Sequence, residues 1–151
     1  MGYIKDLRKL VGTRPLIMPG ACVLLINNKG ELLLQLRADN RCWGLPGGAM
    51  EPGEKLEDVA ARETFEETSL IVSNLKLFNV FSGPEFYYRY PNGDEVHNVV
   101  TVFICREYSG VPKADHSESL DVRFFPLSNL PDSVNPPDLP LIQSFFKHNQ
   151  G

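Results

Sequence analysis

Several things are missing from this chain, and each absence removes a class of function. Its three cysteines, Cys22, Cys42 and Cys105, are odd in number and widely spaced, with no CxxC pair. Neither a disulfide framework nor a zinc knuckle is indicated, and free thiols in a reducing compartment are expected. There is no surplus of basic charge, since the net charge is -4 and the isoelectric point about 5.4. A surface built to grip duplex nucleic acid or an anionic membrane is therefore not expected. No apolar run approaches the roughly 20 residues of a membrane span. The first ten residues mix charges through their apolar positions, unlike a secretory signal, and Asp6 stands where a myristoylation motif needs Ser or Thr. A cytoplasmic protein is expected. No repeat, low-complexity tract or dividing linker interrupts the chain, and 151 residues with 42% hydrophobic content suit one domain spanning residues 1–151.

What is present is an alternation of strand-like and helix-like segments. Residues 3–10 read as a short amphipathic helix and residues 12–20, with Pro15 and Pro19, as a loop. The apolar runs 21–26 and 32–36 flank the turn Asn27-Asn28-Lys29-Gly30 and predict a hairpin. Segments 75–82 and 97–106 are rich in β-branched and aromatic residues around Pro91-Asn92-Gly93-Asp94, and predict a second one. A short strand over 122–125 and a closing helix over 139–148 follow. The expected class is mixed α and β.

The most telling segment is the helix predicted over about 55–68. At 100° per residue, Leu56, Val59, Ala60, Glu63, Glu66, Glu67 and Leu70 share one stripe, so three carboxylates interrupt an apolar face. Carboxylates gathered away from solvent repel one another and lose hydration, which calls for a compensating cation. A glutamate-rich helix is otherwise a solvated face with basic partners one turn on, but the residues four after Glu63 and Glu66 are Glu67 and Leu70.

Together with the preceding loop, the segment resembles the Nudix box, G-x5-E-x7-R-E-U-x-E-E-x-G-U with U aliphatic. Gly48, Glu54, Arg62, Glu63, Glu66, Glu67 and Leu70 all fall on that pattern, and Trp43-Gly44-Leu45-Pro46-Gly47-Gly48 is similar to its usual lead-in. Two positions depart from it: Thr64 stands where an aliphatic residue is usual, and Ser69 replaces the second glycine. If that glycine ends the helix in a left-handed conformation, Ser69 must adopt it or the helix ends differently.

The resemblance to MutT-like Nudix hydrolases implies an α/β/α sandwich with a mixed sheet, its box helix bearing the metal site. It implies Mg²⁺ or Mn²⁺ on Glu63, Glu66, Glu67 and the Gly48 carbonyl, with Glu63 as a further ligand or as base for water, and Arg62 with Glu54 as a supporting ion pair. Glu118 lies in a loop where the family can place another acidic ligand or base, though a surface acid reads equally from the sequence. Trp43, Arg37, Tyr87 and Tyr88 are candidate substrate contacts; core packing or solvation are the plainer roles for such residues, as for Phe86, Tyr90, Arg89, His97 and His116. The implied reaction is hydrolysis of a pyrophosphate bond in a nucleoside diphosphate linked to another moiety. Pro84 lies 15 residues past Ser69, one short of the proline that marks ADP-ribose hydrolases in the family, and Tyr87 lies 18 past it, as in dinucleoside polyphosphate hydrolases. The alternatives are a house-cleaning nucleoside triphosphate pyrophosphatase and a nucleotide-sensing domain without turnover. The expected partner is a small nucleotide, with neither duplex nor membrane, and a homodimer is left open.

Overall fold

The structure, a computed structural model, describes residues 2–150. Helix α1 (Tyr3–Val11) leads into strand β1 (Leu16–Leu25), followed by β2 (Leu32–Arg37), β3 (Trp43–Gly44) and β4 (Gly47–Ala49). Helix α2 (Leu56–Thr68) comes next, then β5 (Ile71–Ser73), β6 (Lys76–Phe81), β7 (Tyr87–Arg89), β8 (Glu95–Cys105), β9 (Glu107–Ser109), β10 (Ser119–Phe125) and helix α3 (Leu139–Gln150). The main sheet is mixed: β1 and β8 run parallel over ten register pairs, while β4, β6 and β7 add antiparallel strands. A second sheet orders β10-β2-β3, and β5 pairs with β9 as a ribbon.

The period of two along β1 organises the core. Ala21, Val23 and Leu25 pack with Val59, Ala60 and Leu70 on the α2 side. Cys22, Leu24 and Ile26 pack with Leu141, Ile142 and Phe145 of α3 on the other. Both faces of the sheet are thus covered by a helix, the expected α/β/α arrangement.

Three local expectations are corrected. The segment expected as a loop over 12–20 is strand from Leu16 onward. Pro19 is tolerated because its carbonyl, which accepts from Met50 N–H at 3.0 Å, faces the β4 side. Its nitrogen points the same way, so the ladder to β8 loses no donor. The hairpin expected between 21–26 and 32–36 has its turn, with Asn27 Oδ1 accepting from the N–H groups of Lys29 and Glu31. Its strands part after the single bridge Ile26–Leu32, however, because each is buried on both faces and takes partners in its own sheet. The Pro91–Asp94 turn closes β7 onto β8 rather than β6 onto β8, although β6 does pair with β8.

Candidate active site

The loop after β4 and the helix α2 are locked together by one guanidinium. Arg62 donates to both carboxylate oxygens of Glu54, from Nε and Nη2 at 2.8 Å each, and from Nη1 to Glu63 Oε2 at 2.7 Å. Nη2 also reaches the Ala49 carbonyl at 3.3 Å. Such a bidentate fork fixes orientation as well as charge. It holds the Glu54 carboxyl below its usual range and raises the already high pKa of Arg62. Glu54 in turn accepts the Glu51 N–H at 2.9 Å, which ties down the turn before the helix.

Beyond this clamp, one carboxylate oxygen each from Glu63, Glu67 and Glu118 lies within 4.8 Å of the others. Glu67 is buried, and Gly47 N–H donates to its Oε1 at 2.9 Å. Gly48 leaves room for the Glu63 carboxyl, since a Cβ there would stand 2.6 Å from its carboxyl carbon and push it aside. Glu118 enters from the loop before β10. Asp115 Oδ1 accepts the N–H groups of Ser117, Glu118 and Ser119, and Ala38 N–H donates to the Glu118 carbonyl, so the loop is pinned to β2. Burial pushes the Glu67 carboxyl well above its ordinary range. Burial also pushes Glu63 up to about 6, with Arg62 opposing and Glu66 and Glu118 adding to the rise. Three hard oxygen donors so placed fit Mg²⁺ or Mn²⁺, and one cation would relieve both the repulsion and the desolvation.

The cluster borders a cleft of about 340 Å³. Gly20, Cys22, Gly47 and Gly48 form part of its wall, and Arg37, Tyr88, Tyr90, Asn98, Asn135 and Asp138 line it further out. Tyr88 and Tyr90 meet edge to face at 4.9 Å. Asp138 accepts the Leu45 N–H at 3.0 Å and the Asn135 amide at 3.1 Å, and its burial raises its pKa.

Several expected residues lie elsewhere. Glu66 is outside the three-carboxylate cluster; its side chain is 43% exposed and meets Arg62, four residues before it, at 3.4 Å. A basic partner one turn back therefore exists for Glu66, where only the forward direction had looked empty. The core face of α2 takes Val59, Ala60 and Glu67 from the expected stripe, with Leu70 just beyond the helix, and adds Thr64 and Thr68. Trp43 packs edge-on against Phe125 at 4.9 Å rather than lining the cleft. Tyr87 is exposed, stacks beside His97 and donates its hydroxyl to Glu95. Phe86 is core, Arg89 is exposed, and His116 sits at φ 63 in the Glu118 loop. Of the substrate candidates, Arg37 and Tyr88 reach the cleft. Asn98, Asn135 and Asp138 were missed. The last two flank a proline pair in a segment with no periodicity, and only their polarity beside Pro136 and Pro137 hinted at a built turn.

A family profile described as the NUDIX domain matches residues 16–145. The chain belongs to the Nudix family. It is a Nudix pyrophosphohydrolase acting on nucleotides. It is 35% identical over 131 residues to an ADP-ribose pyrophosphatase of Methanocaldococcus jannaschii, covering 84% of this chain and 72% of that protein. It is 32% identical over 112 residues to a putative 8-oxo-dGTP diphosphatase of Bacillus subtilis, covering 74% and 68% respectively. Among solved structures, a MutT NUDIX hydrolase from Burkholderia pseudomallei superposes with a TM-score of 0.72 at 25% identity, over 86% of this chain and 97% of that one. No helix among the described residues is long and apolar enough to cross a membrane.

Proposed function

We propose that this Nudix hydrolase uses Mg²⁺ or Mn²⁺ to cleave the pyrophosphate bond of a nucleoside diphosphate linked to another moiety, with an ADP-sugar as the leading substrate class. The observation that carries the reading is the convergence of Glu63, Glu67 and Glu118 at the border of a cleft lined by tyrosines, amides and an arginine. Glu63, Glu67 and Glu118 would hold the cation, with the Gly48 carbonyl beside them. When bound, the metal would neutralise charge on the diphosphate oxygens and acidify the attacking water.

The chain's own residues supply the rest. Glu63 has its Oε2 committed to Arg62, so its remaining oxygen is the one it would offer the cation. Arg62 keeps that oxygen aimed by holding the other, with Glu54 fixing Arg62 in turn. Gly47 N–H holds Glu67 so that its second oxygen stays free. Arg37 is placed to meet phosphate charge, and Tyr88, Tyr90, Asn135 and Asp138 to take the nucleoside.

The Methanocaldococcus relative supports the ADP-sugar reading, and the position of Pro84 agrees with it only to within one residue. The Bacillus relative supports a second reading, a triphosphate pyrophosphatase for oxidised purines, and Asp138 beside Asn135 offers polar groups suited to a purine edge. A reducing, cytoplasmic setting is supported by the three free cysteines. The test is product analysis with ADP-ribose, a dinucleoside polyphosphate, 8-oxo-dGTP and NAD, with and without Mg²⁺. AMP release from ADP-ribose at the highest kcat/KM is expected. Preferential pyrophosphate release from 8-oxo-dGTP would move the assignment to the second reading, and no Mg²⁺-dependent cleavage of any substrate would leave a sensing domain.

A further inference from the structure

We propose that the side-chain amide of Gln35 is part of the cation site, its oxygen accepting a hydrogen bond from a water bound to the cation held by Glu63, Glu67 and Glu118. The inference rests on the metal reading above and extends it to a residue outside the box.

Gln35 sits in the middle of β2, a central strand whose neighbours Leu33 and Leu34 are core residues. Its backbone is registered on both sides, to Val122 of β10 and Gly44 of β3. The side chain is only 1% exposed, and its Oε1 has no hydrogen-bond partner among the described residues. An orphaned amide oxygen is costly in a core, and a leucine would fill such a position without that penalty. Gln35 does, however, line a second recess of about 350 Å³ together with Arg37, Ala38, Asp39, Glu67, Ser117 and Glu118. Glu67 and Glu118 thus stand between this recess and the nucleotide cleft, belonging to both.

The chemistry of the lining selects the occupant. An ionised carboxylate and an amide oxygen are acceptors only, so whatever meets Glu67, Glu118 and Gln35 Oε1 together must present positive charge or donors toward all three. A hydrated divalent cation does so: it takes carboxylate oxygens directly and offers polarised water hydrogens to a neutral acceptor one shell out. An NH₂ presented to the recess would suit a phosphate oxygen, but an anion there would face two carboxylates.

The experiment compares the full chain with its Gln35→Leu variant, following thermal unfolding without metal and titrating Mn²⁺ by calorimetry. Expected are an unchanged or higher metal-free Tm and a Mn²⁺ affinity weakened about tenfold, the usual size of an outer-partner loss. These opposite signs separate a metal role from a packing role. A variant with wild-type Mn²⁺ affinity overturns the proposal, as does a lower metal-free Tm with unchanged affinity. Gln35→Met, closer in shape, repeats the measurement if the leucine variant does not fold. If the wild type itself binds no Mn²⁺, the metal reading fails and this proposal with it; wild-type binding with an unaffected variant removes this proposal alone.

Discussion

Glu67 has its charge desolvated on the α2 core face, with Gly47 N–H as its hydrogen-bond donor and Glu63 and Glu118 as like-charged neighbours. Replacing it by Gln keeps the shape and removes that charge. Glu67→Gln should therefore hold or raise metal-free stability while abolishing turnover, measured by denaturant midpoint and by kcat at saturating Mg²⁺. Retained turnover would remove Glu67 from the site. Glu63 gives a pH signature. Its folded pKa of about 6 lies above its ordinary value of 4.5, so between these pH values the native state holds more proton than the unfolded chain. Stability conferred by the protonated form is present below about 4.5 and lost as pH rises through about 6. The metal-free protein should lose stability across that window, and the loss should shrink in Glu63→Gln, the remainder coming from Glu67 and Asp138, whose carboxyls burial also raises. Metal affinity should rise over the same range as the proton leaves. At this scale the box residues were legible because fixed spacing along one helix carries them. Gln35, Asn135 and Asp138 were not, since their roles depend on what strands and turns far away in sequence bring beside them.

The end of α2 is the element where this chain departs most visibly from the family pattern. Ser69 stands at φ 66, ψ 10, in the left-handed region, with its N–H donating to the Phe65 carbonyl at 2.9 Å and its hydroxyl making only a long 3.4 Å contact to the Lys113 carbonyl. A side chain costs about 1 kcal/mol there, partly offset by the extra unfolded-state freedom of glycine. Ser69→Gly should raise the denaturation midpoint modestly and leave kcat unchanged, since the position bears no carboxylate; a lower midpoint would show that the hydroxyl contact outweighs the strain. The helix itself and its end were readable from periodicity and the box. Strand β1 was half hidden, because Pro15, Pro19 and Gly20 look like loop chemistry when the β4 side, where Pro19 needs to offer only its carbonyl, cannot be seen. The first hairpin was misread for a related reason: a turn signal says that two strands meet, not that they stay in one sheet.

Assembly of the site requires the whole fold. Gly47 and Gly48 come from the edge of the main sheet, Glu63 and Glu67 from α2, and Glu118 from a loop anchored to the second sheet through Ala38. Only the native chain brings these donors together, so metal should bind the folded state and leave the unfolded chain alone. Stabilisation then grows as the logarithm of free metal, reaching about 2.7 kcal/mol at a concentration one hundred times Kd. For a chain of this size that corresponds to a Tm rise of very roughly 5–10 °C, reversed by EDTA. The contribution of the distant loop can be isolated. Glu118 is exposed and its carboxylate supports no core contact, so Glu118→Gln should leave the metal-free Tm within a degree or so of wild type, as exposed substitutions usually do. The same change should shrink the Mn²⁺-induced rise. An undiminished rise in Glu118→Gln, alongside a lost one in a Glu63 and Glu67 double glutamine variant, would confine the cation to α2 and leave the loop carboxylate a bystander to binding.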